Sequence, residues 1–258
     1  MNRVIIYPYK IKSKGATRVQ EHIVEDNGDC LRVYPDRDYA PKKTDLIVGW
    51  GAGNPPLWMG AADRVGARYL NRPEAVCKSV NKIESFDRMF AAGVRTPMFT
   101  TDIRVAKWWQ RHKYTIFARQ EIEGKDGEGV VVIPPDKALV EARLYTVGMF
   151  GTDEFRVHVF NGKPIYFQKK VPVKDIKDPF IRTTSNGWGF THLEQKNVPF
   201  MVIDESIKAI AAVGLDFGAT DVIYSADSVD CNVLEVNTAP ELGPMGSKAY
   251  ADAIRELL

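Results

Sequence analysis

The chain has 258 residues, 45% of them hydrophobic and 26% charged, with a formal net charge of +2. That length can hold one large domain or two to three small lobes around a sizeable core, and the composition excludes disordered and fibrous classes. No stretch approaches the roughly 18 apolar residues of a membrane span, and "MNRVIIYPYK" is too short an apolar run for a signal peptide, so a cytoplasmic protein with no membrane partner is expected.

Two short strands open the chain, "RVIIYPY" and "TDLIVGWG", the second running into Gly49, Gly51 and Gly53. A strand that ends in glycines suits an α/β edge where a ligand approaches backbone, although "GWGAGNPP" lacks the spacing of a dinucleotide fingerprint. Residues 71–97 read as two helices. Asn71 caps the first, with Pro73 in its first turn; Asn81 and Glu84 make a capping-box start to the second. Ile83, Phe86 and Phe90 then line a core face, and Gly93 ends the helix. From about residue 115 the pattern turns to strands: "TIFARQ", the glycine loop "GKDGEGV", "VVVIPP", "RLYTVGMF", "EFRVHVF" and, after the hairpin turn "NGK", "PIYFQKKVPV". A helix is expected from Asp204 to about Val213, capped by Asp204 and stopped by Gly214. Two strands, "DVIYS" and "NVLEVN", close the pattern around a turn at Ser228. Cys30, Cys77 and Cys231 are odd in number and far apart, and read as reduced thiols.

Charge is unevenly distributed along the chain. Residues 156–196 carry eight Lys or Arg against three acids, whereas residues 204–241 carry eight acids against Lys208 alone. A basic wall facing an acidic one suits a polyphosphate with its divalent metals, or the two segments pair with each other. No basic stretch interleaved with aromatics stands out, so no nucleic-acid partner is expected.

The strand "NVLEVNTAP" places Glu235 and Asn237 among apolar residues. Alternation puts Val233, Glu235 and Asn237 on one face, and an antiparallel hairpin about Ser228 sets Asp221 opposite Glu235 with Asn237 diagonal to it. Two carboxylates about 5 Å apart repel without a counter-cation, and an oxygen-only donor set suits Mg²⁺. A one-residue slip would move Asp221 to the other face. The alternative is a solvated outer face. In "GKDGEGV", residues 124–130, glycine backbone can cover phosphate oxygens and Lys125 adds a cation, or the segment is a plain hairpin turn. Lys169 and Lys170 point to opposite faces of their strand, so one can enter a cleft. Glu154 and Arg156 share a face, where pairing with each other is the simple reading.

"GLDFGATDVIYS…NVLEVNTAPEL" resembles the carboxy-terminal signature of the ATP-grasp superfamily, in particular the ligases related to glutamate-adding and D-alanine ligases. "NKIESFDRMFAAGVRTP" resembles the helix before their central lobe, the glycine loop their phosphate-covering hairpin, and "DEFRVHVFNGKPIYFQKK" their paired strands, over residues 70–245. The resemblance implies an α/β protein with α+β lobes and the ATP-grasp fold. A small N-terminal α/β lobe with connecting helices (1–100) precedes a central lobe with the glycine loop (101–148) and a C-terminal lobe with the metal site (149–258), the last two clasping ATP between antiparallel sheets.

By the same resemblance Asp221, Glu235 and Asn237 are ligands of Mg²⁺, with Mn²⁺ as an alternative. Arg119, Lys125, Gly127, Gly129, Tyr145 and Glu154 contact ATP, Glu154 at the ribose, with Lys169 or Lys170 as a further cation. Arg156, Arg182 and Asn186 meet the γ-phosphate or an acyl phosphate formed from it. The sequence departs from the pattern at Arg119, where a lysine is usual, at Val147, where a carboxylate is frequent, and at Glu241, where a glycine is common. The implied reaction is ATP-dependent joining of a carboxylate to an amine through an acyl phosphate, with small-molecule or peptide substrates. An ATP-grasp kinase acting on a hydroxyl and a non-catalytic nucleotide-binding protein are the alternatives, and a homodimer is compatible with the sequence.

Overall fold

The computed structural model describes residues 3–26, 28–123, 127–149, 153–176, 178 and 180–258. Its strands form three sheets.

The first sheet is parallel, in the order β2-β1-β3-β4, from β1 (Arg3–Pro8), β2 (Cys30–Arg32), β3 (Asp45–Trp50) and β4 (Arg68–Leu70). Strands β1 and β3 are almost wholly buried, which is why they read as unbroken apolar runs. Helices α1 (Lys14–Glu25) and α2 (Met59–Val65) provide the crossovers. Ser13 caps α1 by accepting from the Ala16 N–H. Gly49 is required where it stands, because a Cβ there would lie 2.1 Å from the Asn71 carbonyl oxygen.

The helices of residues 71–97 are α3 (Pro73–Val80) and α4 (Lys82–Ala91). Asn81 caps α4 as expected, accepting from Ile83 N–H and Glu84 N–H, whereas the Glu84 carboxylate takes Arg88 one turn on. Asn71 is not a cap. It is fully buried at φ 54°, with its Oδ1 accepting from Asp216 N–H (2.8 Å) and Phe217 N–H (3.1 Å) and its Nδ2 donating to the Phe217 carbonyl (2.8 Å). It therefore ties the end of the first sheet to the start of β12 (Phe217–Ser225). Phe90 is also misplaced by the sequence reading: it is exposed, and Met89 takes the core position beside Phe86.

The second sheet is antiparallel, ordered β5-β8-β6-β7, from β5 (Phe99–Thr100), β6 (Ile116–Arg119), β7 (Val130–Ile133) and β8 (Leu144–Val147), with α5 (Ile103–Arg111) against it. The third has the order β11-β10-β9-β12-β13, from β9 (Asp153–Phe160), β10 (Lys163–Pro172), β11 (Trp188–His192), β12 and β13 (Asp230–Asn237). The turn between β9 and β10 puts Asn161 and Gly162 at positive φ (47° and 73°), which is what an Asn-Gly hairpin needs.

One face of this third sheet carries Phe155, Val157, Val222, Val233 and Val236 into the largest core, under α3, α4 and α6 (Phe200–Ala212). Helix α6 starts at Phe200 behind Pro199, four residues before the expected Asp204, because the apolar stripe of Val202 and Ile203 continues upstream; Gly214 follows its end at φ 77°. The last helix, α7 (Pro244–Arg255), returns to pack against α1, sharing a core with the first sheet. Among the described residues no helix is long and apolar enough to cross a membrane.

Candidate active site

The other face of the third sheet is ordered in cross-strand rows. Gln168 on β10, Arg156 on β9, Asp221 on β12 and Glu235 on β13 are successive partners. The neighbouring row runs Phe190, Lys170 and then Glu154, since Lys169 pairs with Phe155. The next on the other side runs Tyr166, His158, Ala219 and Asn237. The expected register of Asp221 opposite Glu235 is thus present, with one correction. A β-bulge leaves Leu234 unpaired between Glu235 and Val233, which faces Val222. Simple alternation therefore fails: Val233 points into the core with Val236, while Leu234, Glu235 and Asn237 line a cleft. Bulges re-aim side chains in this way, often beside active sites.

The cleft has a volume of about 1120 Å³ and is bounded by the cleft faces of the second and third sheets, by the N-terminal ends of α1 and α4, and by residues 238–243. Arg156 holds Asp221 with both arms of its guanidinium, Nε to Oδ1 at 2.6 Å and a terminal nitrogen to Oδ2 at 2.7 Å. Burial pushes the Asp221 carboxyl up, but Arg156 outweighs it and holds it below the usual carboxylate range. The simple Glu154–Arg156 pairing is therefore replaced. Glu154 instead accepts from Lys170 at 2.5 Å, with Arg182 at 3.8 Å; burial pushes its carboxyl up against the pull of Lys170. Phe190 lies under both cations, 4.1 Å from the Arg156 guanidinium carbon and 5.1 Å from Lys170 Nζ. Arg182 covers the Trp188 ring at 5.0 Å. Glu235 is half-exposed and meets Lys82 at 3.3 Å, and Asn237 Nδ2 donates to Asp221 at 3.4 Å.

On the opposite wall, Phe117 and Arg119 of β6 face the cleft. Burial pulls the Arg119 guanidinium down, Glu235 opposing, and its Nε is buried with no hydrogen-bond partner among the described residues. A buried, unsatisfied cationic donor aimed into a cleft fits an anionic ligand. Gly127 also lines the cleft. A Cβ there would sit 3.2 Å from methyl groups of Ile181 and Thr183, so Gly127 itself approaches the segment beyond β10.

Several expected residues lie elsewhere. Tyr145 is buried toward α5, its hydroxyl donating to the Val140 carbonyl and accepting from Ala142 N–H, while Thr146 takes the cleft position on β8. Asn186 turns inward, where its carboxamide ties Asp178 and Ile181 into one loop. Lys169 leaves the cleft for Asp153 at 2.7 Å, which makes Lys170 the cleft lysine. Gly129 packs against Glu121 at φ 67°, and Lys125 lies outside the described residues. Lys82 follows the Asn81 cap directly and carries no sequence signal of its own, because its partner Glu235 is 153 residues away. Phe190 had no sequence signal, since its place depends on β11 pairing with β10.

Asp221, Glu235 and Asn237 offer two carboxylates and a carboxamide, and an all-oxygen set of this kind fits a hard divalent cation such as Mg²⁺. Among the described residues no third Asp, Glu, His or Cys joins them, so the remaining positions would fall to water or a ligand's own oxygens.

No protein-family model and no curated protein matches the sequence. Solved structures do. The ATP-grasp ligase PsnB complexed with minimal precursor matches with a TM-score of 0.74 at 13% identity, over 100% of this chain and 99% of that one. A further structure of PsnB contains Mg and ADP, at a TM-score of 0.72 and 14% identity, covering 98% and 96%. A RiPP-associated ATP-grasp ligase from Chryseobacterium gregarium, in complex with ADP and a leader and core peptide, matches at 0.67 and 16% identity, covering 100% and 98%. D-alanine–D-alanine ligase from Bacillus anthracis matches at 0.67 and 14% identity, covering 99% and 97%. The chain has the ATP-grasp fold.

Proposed function

We propose that the protein is a cytoplasmic ATP-dependent ligase that joins a carboxylate to an amine and releases ADP and phosphate. The observation that carries this reading is the row Arg156, Asp221, Glu235 lying beside Lys170, Arg182 and Asn237 in one cleft of this fold. The likeness to ligases solved with ADP, Mg and peptides supports ATP and a divalent cation as ligands. It also supports a peptide or small-molecule substrate.

In this reading a substrate carboxylate oxygen attacks the γ-phosphorus of ATP, the β–γ bridging oxygen leaves with its electron pair as part of ADP, and an acyl phosphate forms. An amine then attacks the acyl carbon, the C–O bond to phosphate breaks, and the nitrogen loses a proton. The chain supplies positions and charges rather than a nucleophile. Arg119 and Lys170 hold the nucleotide phosphates, while Arg156 and Arg182 face the transferring group. Asp221, Glu235 and Asn237 would hold Mg²⁺, or Mn²⁺ in its place, which neutralises phosphate charge when bound. Glu154, tied to Lys170 and Arg182, positions these two cations.

The binding half of this reading is tested by thermal denaturation with and without Mg·ATP. A gain of about 2.7 kcal/mol is expected at 100-fold excess over Kd. An unchanged melt at millimolar Mg·ATP would remove it.

A further inference from the structure

Both carboxylates of the proposed metal-ligand set, Asp221 and Glu235, are already matched by cations of the chain. Asp221 is engaged through both oxygens by Arg156, with the two side chains only 9% and 14% exposed, and Glu235 is engaged by Lys82, itself 12% exposed. Asn237 adds a nitrogen donor toward Asp221. A divalent cation arriving alone would have to share its oxygens with a guanidinium and an ammonium, and like charges at such separations repel strongly where water is scarce. A polyphosphate arriving alone would draw Arg156 and Lys82 toward itself, leaving two carboxylates unpaired beside more negative charge, one of them buried. If both arrive together, the cations pass to phosphate oxygens and the carboxylates to the metal, so every charge keeps a partner.

We propose that Lys82 and Arg156 compete with the divalent cation for Glu235 and Asp221, and that nucleotide phosphate relieves this competition, so that metal and nucleotide enter the cleft as one cooperative unit. The inference rests on the ATP-dependent reading of the cleft and adds to it a sign that ordinary ligand-binding residues do not have. Lys82 opposes the metal when nucleotide is absent and favours nucleotide when metal is absent. The coupling is reciprocal, each ligand raising the affinity for the other by the same factor.

The test uses the full chain with Mn²⁺ as the paramagnetic probe, titrated alone and with ADP, together with ADP titrated in EDTA. Glu235 is half-exposed, so Lys82→Gln is expected to fold, which its melting curve checks. Lys82→Gln should bind Mn²⁺ alone about fivefold more tightly than the wild type, the scale of a partly exposed ion pair, while binding metal-free ADP more weakly. Lys82→Arg keeps a cation and should retain wild-type Mn²⁺ affinity, and Lys82→Gln combined with Glu235→Gln should lose the gain. If Lys82→Gln leaves the affinity for Mn²⁺ alone unchanged or weakens it, while the Mn²⁺·ADP complex forms on the wild type, the competition is wrong and the ligase reading stands. If the wild type binds no Mn²⁺ even with ADP, the ATP-dependent reading falls and this inference with it.

Discussion

Glu154 and Lys170 meet at 2.5 Å on neighbouring strands of the third sheet, inside the cleft, whereas Lys169 turns to the opposite face and pairs with exposed Asp153. The two lysines are adjacent in sequence and identical in chemistry, so they separate position from charge. Lys170→Met should lower ADP release by roughly 10²-fold, the scale of losing one preorganised cation at a charged transition state. Lys169→Met should stay within about twofold, as expected of an exposed ion pair. Steady-state ADP release by the two variants decides this, and equal losses would remove Lys170 from the site.

Asp221→Asn and Glu235→Gln should both abolish turnover, yet differ in stability. Asp221→Asn leaves Arg156 buried without its counter-charge, a change worth roughly 3–5 kcal/mol, or a melting temperature lower by on the order of 10 °C. Glu235→Gln, half-exposed, should melt within a few degrees of the wild type, about the value of a partly exposed pair. Near-normal rates in both variants would identify these carboxylates as ordinary strand residues.

His158 is buried with its ring nitrogens 3.2 Å from Tyr250 Oη and 3.1 Å from Gln168 Oε1, and burial pulls its imidazole down to about 3. Its folded value lies below the unfolded one, so the unfolded chain binds the extra proton between pH ~6.5 and about 3. Stability therefore rises with pH through this window and is lost on acidification, by about 1.4 kcal/mol per unit from this group. Asp221, held low by Arg156 against burial, adds a loss in the same direction as pH falls below its ordinary range. Urea denaturation between pH 7 and 4 should show the slope, and His158→Gln should reduce it. An unchanged slope would contradict the assignment to His158.

Asn71→Ala removes three hydrogen bonds, two of them fully buried, that join the first sheet to the start of β12. A destabilisation of about 3 kcal/mol is expected in urea, with the unpaired Asp216 and Phe217 N–H groups supplying most of it. Asn71→Gly should be as damaging, since it relieves the positive φ but not the lost bonds. A loss below about 0.5 kcal/mol would show that water replaces the carboxamide.

The contrast between Asn71 and Asn81 shows what sequence reveals here. Asn81 satisfies N–H groups two and three residues away, so its cap was legible; the partners of Asn71 are 145 residues distant and its role was not. The register of Asp221 with Glu235 was legible because the two strands are joined by a short turn. The bulge at Leu234 was invisible, because "NVLEVN" alternates well enough without it. Arg156 is on the expected face but has a different partner, since sequence could not show that Asp221 of the neighbouring strand β12, rather than Glu154 two residues away on β9 itself, brings its acid. Tyr145 and Asn186 came from resemblance alone, and local packing sends both side chains away from the cleft.

The proposed reaction turns a carboxylate into an electrophile in this cleft. Hydroxylamine intercepts an acyl phosphate as a hydroxamate, whereas a phosphorylated alcohol is inert to it. A panel of amino acids and short acidic peptides, incubated with ATP, Mg²⁺ and hydroxylamine, should contain at least one carboxylate that yields ADP and hydroxamate together, lost without Mg²⁺ and in Glu235→Gln. ADP accompanied by a stable phosphomonoester and no hydroxamate would contradict the ligase and establish a kinase, and the lack of both products across the panel would leave a nucleotide-binding protein without turnover.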